Sequence, residues 1–240
     1  MTVKYLFILV AILLSFITSI CFASFTSRYS NWLGFDVGGS FHKDSKWHYD
    51  LMNQARVPTD PTRLEQYFVR PSVFYQLDKN WSFWLGSDLI YENPKNDPTT
   101  TEQRIWPQIE YDKSLTYHVA TSLRSRLENR WIGNQSGMAM RFRQRVEFSI
   151  NHWNKYNVDL DVFDEGFFGL KRPSWVTDRT FDQNRVFLGF VIPMHKRLAI
   201  DTGYLNIFRP RSPQNRVEHI LVLALAINFD GKPSFPIRTV

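Results

Sequence analysis

The sequence predicts an all-β protein: an antiparallel up-and-down transmembrane β-barrel of about 10–12 strands that follows a cleaved signal peptide. Three observations predict it. The chain opens on an export signal, the remainder alternates apolar and polar residues between one turn and the next, and the connections alternate in length. With 20 Phe, 10 Tyr and 8 Trp in 240 residues there is too much apolar material for a disordered chain. A mean hydropathy of −0.32 excludes a bundle of membrane helices, which needs several long apolar runs.

The export signal is residues 1–23. Lys4 precedes the apolar stretch Leu6 to Phe22, and Cys21 and Ala23 are the small residues before a cut at Ser24. The stretch is longer than the usual signal core of about 7–15 residues, which leaves an uncleaved anchor helix as the alternative. Ser15, Thr18 and Ser19 interrupt it and favour cleavage, and Ile20 is larger than the residue a lipid-anchor signal places before its cysteine. Removing the segment takes away Cys21, the one cysteine of the chain, so the exported part forms no disulfide and no thiolate metal site.

From residue 24 to 229 the apolar period is two. Leu33, Phe35 and Val37 alternate with Gly34, Asp36 and Gly38. Trp47, Tyr49 and Leu51 follow, then Tyr67 to Leu77, Trp81 to Tyr91 and Ile105 to Tyr111. The clearest stretch, 115–131, puts Leu115, Tyr117, Val119, Leu123, Leu127 and Trp131 on one face and Arg124, Arg126, Glu128 and Arg130 on the other. Its neighbour, 138–150, sets Phe142, Val146 and Phe148 against Arg141, Arg143, Arg145 and Glu147. Tyr156 to Val162, Val186 to Ile192, Leu198 to Tyr204 and Leu221 to Phe229 complete the series, and 230–240 is read as a tail.

Short connections at 78–80, 112–114, 151–155 and 193–196 alternate with longer polar ones at 53–63, 93–103 and 170–178. Short turns at one end and longer loops at the other describe a barrel in the outer membrane of a Gram-negative bacterium, and a periplasmic β-sandwich, with its shorter strands, is the alternative. Aromatic girdles are expected from Tyr75, Trp81, Tyr111, Tyr117 and Tyr156 at the short-turn end and from Tyr91, Trp131 and Tyr204 nearer the loops. Eleven alternating stretches conflict with the even number of bacterial barrels. The stretch 33–41 is then either no membrane strand, leaving ten, or is preceded by a further strand near 24–32, giving twelve.

An arginine on a lipid face costs about 2–4 kcal/mol at the midplane, so a row of them must face the lumen. With Ile132 opposite Ala139, Arg130 meets Arg141, Glu128 meets Arg143, Arg126 meets Arg145 and Arg124 meets Glu147. With Ile150 opposite Tyr156, Arg145 meets Asp161, Arg141 meets Glu165 and Glu147 meets Asp159. Arg185 joins the same lining. Such a ladder is either a structural ion-pair network or a basic track through a narrow pore for small anionic solutes.

The order of motifs resembles a family. Arg124-x-Arg126-x-Glu128-x-Arg130, Arg141-x-Arg143-x-Arg145-x-Glu147, Asp164-Glu165-x-Phe167, Gln183-Asn184-Arg185-x-x-x-Gly189-Phe190 and Gly203-Tyr204 together are similar to the uncharacterised outer-membrane barrels labelled domain of unknown function 2490. The resemblance spans roughly 30–230. It implies a Gram-negative outer-membrane barrel and carries no established activity, so it transfers no catalytic residue.

Little else in the chain points to chemistry. The six histidines, His42, His48, His118, His152, His195 and His219, show no zinc spacing, and neither a metal nor a cofactor is expected. An outer-membrane enzyme acting on lipid or lipopolysaccharide would need a nucleophile beside His118 or His219, and no serine is singled out. Export and inward arginines argue against nucleic acid despite a pI of about 9.4. Outer-membrane lipids and lipopolysaccharide phosphates remain the expected partners, met by Lys95, Lys171, Arg172, Arg209 and Arg211 in the loops.

Overall fold

Period-two alternation builds eleven strands: β1 (Phe25–Ser40), β2 (Trp47–Pro58), β3 (Gln66–Gln76), β4 (Trp81–Glu92), β5 (Thr100–Ser114), β6 (Val119–Ile132), β7 (Ala139–Ile150), β8 (Asp159–Lys171), β9 (Phe181–His195), β10 (Leu198–Arg209) and β11 (Asn215–Asn228). In the computed structural model, which describes residues 25–59, 63–95, 97–154 and 156–230, they close into a single barrel. The segments assigned to the export signal and, apart from Asp230, to the tail lie outside these residues. Turns of 41–46, 77–80, 115–118, 151–158 and 196–197 lie at one end, and connections 59–65, 93–99, 133–138, 172–180 and 210–214 at the other.

The strand count corrects the expected ten or twelve. Residues 25–32 and 33–40 are one sixteen-residue strand. Consecutive hairpins reverse direction at each step, so the first and eleventh strands run the same way. They pair in parallel, with Phe25 opposite Asn215 through Gly38 opposite Asn228, and a parallel seam lets an odd number close.

Several turns are longer than expected, and side chains account for it. Thr116 Oγ1 accepts the amides of His118 (3.3 Å) and Val119 (3.0 Å), so Leu115 and Tyr117 belong to a turn and not to β6, while 112–114 complete β5. Asn154 Oδ1 accepts the amides of Tyr156 (2.9 Å) and Val158 (3.4 Å), which delays β8 to Asp159. Hydroxyl and amide side chains of this kind compete with the strand ladder for backbone amides.

The outer face carries large exposed apolar side chains, among them Leu33, Phe83, Leu85, Ile105, Leu188 and Leu221. Trp47 packs on Tyr75 (5.1 Å between ring centroids) and Trp81 on Tyr111 (4.7 Å) near the short turns. The outward polar groups bond each other: Ser125 donates to Gln144 (2.6 Å) and Asn184 to Asp164 (2.6 Å).

The inner face is divided. On β9, β10, β11 and β1 it is apolar, with Trp32, Phe187, Val191, Ala199, Leu205, Ile207, Ile220 and Val222 buried in one cluster that also takes Phe163 from β8. On β3 to β8 it is ionic. Aromatic rings lie flat along the wall, and glycines make that possible. A Cβ on Gly189 would sit 2.3 Å from Phe187 Cζ, one on Gly203 would sit 2.6 Å from the Leu188 carbonyl oxygen, and one on Gly86 would sit 2.2 Å from the Trp106 ring.

Candidate functional site

The charged wall follows from alternation. On β6 and β7 every second residue points inward, which stacks Arg124, Arg126 and Glu128 beside Arg141, Arg143, Arg145 and Glu147, all buried. Isolated charges there would each cost several kcal/mol, so geometry must pair them. Two carboxylates do most of the pairing, and both are 0% exposed. Glu128 accepts Arg141 (2.6 and 2.8 Å) through one oxygen and Arg143 (2.7 Å) through the other. Glu165 accepts Arg124 (2.8 Å), Arg143 (2.9 and 3.0 Å) and Arg145 (3.3 Å).

The register differs from the expected one. Glu128 stands opposite Arg141, Arg126 opposite Arg143 and Arg124 opposite Arg145, a shift of two residues. Between β7 and β8 the shift is four, with Arg145 opposite Glu165 and Ile150 opposite Leu160, because the 151–158 turn postpones β8. Like charges thus face each other across β6 and β7, and Glu128 and Glu165 reach between them.

The network extends beyond the residues named from sequence. Glu102 accepts Arg104 (2.8 Å) and Arg130 (2.5 Å), and Asp88 accepts Arg70 (2.8 Å) and the Trp106 indole (2.8 Å). Arg141 reaches Asp182 at 3.2 Å. Arg70, Asp88, Glu102 and Arg104 sit on visible polar faces; Glu102 and Arg104 pair along β5, whereas Arg70 with Asp88 and Arg130 with Glu102 meet across neighbouring strands whose register the sequence did not give.

Among the described residues, four members of the expected ladder, Arg126, Asp159, Asp161 and Arg185, fall outside the ion pairs. Asp159 caps a turn, its Oδ1 accepting the His152 amide at 2.7 Å. Asp161, opposite Ser149, joins no ion pair. Arg185 stands opposite Glu165 in the β8 and β9 ladder without forming an ion pair, and lies 4.6 Å from the Phe167 ring centroid and 5.4 Å from that of Trp32. Arg126 is similar: it donates to Gln108 (2.8 Å) and stacks 3.6 Å over Trp106. Arg145 also lies 3.8 Å over Phe163, so rings and carboxylates share the guanidiniums.

The two histidines weighed as catalytic bases meet other partners than a serine. His118 Nδ1 bonds the Asn151 carbonyl oxygen at 3.2 Å. His219, on the outer face, meets the Tyr204 hydroxyl at 2.6 Å and stacks on Tyr29 at 4.9 Å. Among the described residues, no group of three or more His, Cys, Asp or Glu side chains could hold a metal ion.

The comparisons fit this picture. An uncharacterised protein of Methylorubrum extorquens is 25% identical over 180 residues, covering 73% of this chain and 78% of the relative. No solved structure matches the chain. The profile of a family described as protein of unknown function (DUF2490) matches residues 29–218, from the first strand into the last. The strands that carry the motifs Arg124 to Arg130, Arg141 to Glu147 and Gln183 to Gly189 all lie inside that match, and the chain belongs to the DUF2490 family.

Proposed function

We propose that the protein is an outer-membrane β-barrel of a Gram-negative cell whose lumen is closed by its own ion pairs, and that its role is structural, with the loop end as the face offered to ligands. The carrying observation is that Glu128 and Glu165, each 0% exposed, tie arginines of β6 and β7 together across the interior while the opposite wall is packed with apolar side chains. Barrels of about eight strands are filled by side chains and those of 16–18 leave channels, and this eleven-strand barrel follows the smaller ones. Exposed apolar bands and aromatic pairs near the turns support the membrane setting. A leader at 1–23 supports export.

The test is conductance of refolded protein in a planar bilayer under a salt gradient. The expected result is a folded barrel with no discrete steps. Anion-selective steps that change in Arg143→Ala would overturn the closed lumen in favour of a narrow pore for small anionic solutes. A second reading, an enzyme acting on lipid or lipopolysaccharide, rests on the Tyr204 and His219 contact at the outer face, to which Asn206 also donates (3.2 Å). It requires a lipid turnover that His219→Ala abolishes.

A further inference from the structure

At the loop end, above the ion-pair network, the interior opens into a cavity of about 230 Å³. Ten arginine and lysine side chains line it against Glu92, Glu102 and Asp182. Half of these cations are paired within the wall. Glu102 holds Arg104 and Arg130, Asp182 holds Arg141 and Arg211, and Arg209 pairs with Glu218. Glu92 is engaged by the Gln66 amide at 2.7 Å.

Among the described residues the other five make no ion pair: Lys171, Arg172 and Arg179, which are exposed, and the more enclosed Arg56 and Arg185. Arg56 donates to Gln54 (2.8 Å) and Gln66 (3.0 Å), both neutral, and its guanidinium is held between the rings of Trp32 (3.5 Å) and Phe68 (3.9 Å). Arg185 is 7% exposed, its Nε has no acceptor, and it approaches the same Trp32 ring. Both guanidiniums line the cavity and approach one indole, that of Trp32, which lies behind Arg56. Stacking fixes their direction and leaves N–H groups unused. A buried charged donor with no acceptor is costly, and an anion supplies what the wall does not. Planar forks of this kind match carboxylate and phosphate oxygens.

We propose that this cavity is a binding site for a multiply charged oxyanion, a phosphate- or carboxylate-bearing group, anchored by Arg56 and Arg185 beside Trp32. The proposal deepens the reading above, since it takes the closed lumen as the floor of the site. The same chemistry is offered by a free solute entering from the loop end and by a lipid phosphate reaching over the rim.

The test is titration of the refolded full chain in uncharged detergent with inorganic pyrophosphate, followed by calorimetry and tryptophan fluorescence at low salt. Saturable binding is expected, weakened at least tenfold in Arg56→Gln and in Arg185→Gln, and unchanged in Lys79→Gln at the opposite end of the barrel. Arg56 is only half-buried, so its variant keeps the test alive if Arg185→Gln does not fold. No saturable binding, or binding that both variants leave unchanged, overturns the site. Competition by vesicles containing lipid A, set against phosphatidylcholine vesicles, identifies a lipid phosphate as the source. Binding that both vesicles leave untouched identifies a free solute. A barrel that conducts yet binds overturns the closed lumen alone, and one that neither conducts nor binds overturns the site alone.

Discussion

The two walls of the lumen fill the same space by opposite means. On β9, β10, β11 and β1, Phe187, Leu205, Ile207, Ile220 and Val222 meet one another through dispersion and loss of apolar surface. On β3 to β8 the space is taken by arginines, and each must find a carboxylate or an aromatic face. An apolar wall tolerates small changes in neighbour position, whereas an ionic wall depends on every partner at once. Arg56 on β2 and Arg185 on β9, which join no ion pair, flank the charged wall where it meets the apolar one, and Trp32 is their shared neighbour. The candidate ligand site thus sits where the two ways of filling the barrel meet.

The contrast can be broken most directly at Glu165. Glu165→Gln leaves Arg124, Arg143 and Arg145 without their shared anion. A loss of about 3–5 kcal/mol is expected in denaturant unfolding of the micelle-embedded barrel, the range for breaking a buried pair. A loss below about 1 kcal/mol would mean that water solvates these arginines, and the ionic wall would behave as an ordinary wet surface. On the apolar wall, Leu205→Ala should cost about 2–5 kcal/mol in the same measurement, as large-to-small changes do where the site cannot collapse. A near-zero cost there would show that this side of the lumen is not packed.

Gly203→Ala sharpens the comparison at smaller scale. Its Cβ would meet the Leu188 carbonyl oxygen and the Gly189 Cα at 2.6 Å each, backbone positions that cannot swing aside. About 1–3 kcal/mol of overpacking is expected. A ring shift of Phe187, visible as a changed aromatic proton spectrum, should accompany it.

The smallest effect lies outside both walls. In the 77–80 turn, Asp78 accepts the amides of Asn80 (2.8 Å) and Trp81 (2.9 Å), and these bonds hold its carboxyl below the usual carboxylate range. A depressed carboxyl stabilises the fold above its unfolded value and loses that contribution as pH falls through its folded value. The stability difference between wild type and Asp78→Ala should therefore be constant near neutrality and shrink below about pH 4. Equal differences at pH 7 and pH 2 would show that the bonds act without the charge.

Much of the barrel is legible along the chain because side-chain direction in a strand has a period of two. That period alone placed Arg124, Arg126, Glu128, Arg141, Arg143, Arg145 and Glu147 on one face, where the structure has them. It did not place their partners, since the 115–118 and 151–158 turns reset the register through Thr116 and Asn154. The apolar wall was harder to see. Residues 220–227 read Ile-Leu-Val-Leu-Ala-Leu-Ala-Ile, apolar at every position, and a run without alternation marks a strand with both faces covered by apolar surroundings. Trp32 and Arg56 carried no local signal, because they meet directly opposite one another across the β1 and β2 ladder, whose register is not written along the chain.

The sequence by itself determined the strands, the inward face of each, the alternation of short turns with long loops and the presence of an arginine row, all of which follow from local steric period and turn chemistry. The tertiary structure alone decided the odd, parallel closure of β1 on β11, the partner of each arginine and the two guanidiniums that join no ion pair beside one indole. Those depend on register and ring closure, which bring together residues such as Phe25 and Asn215 from opposite ends of the chain.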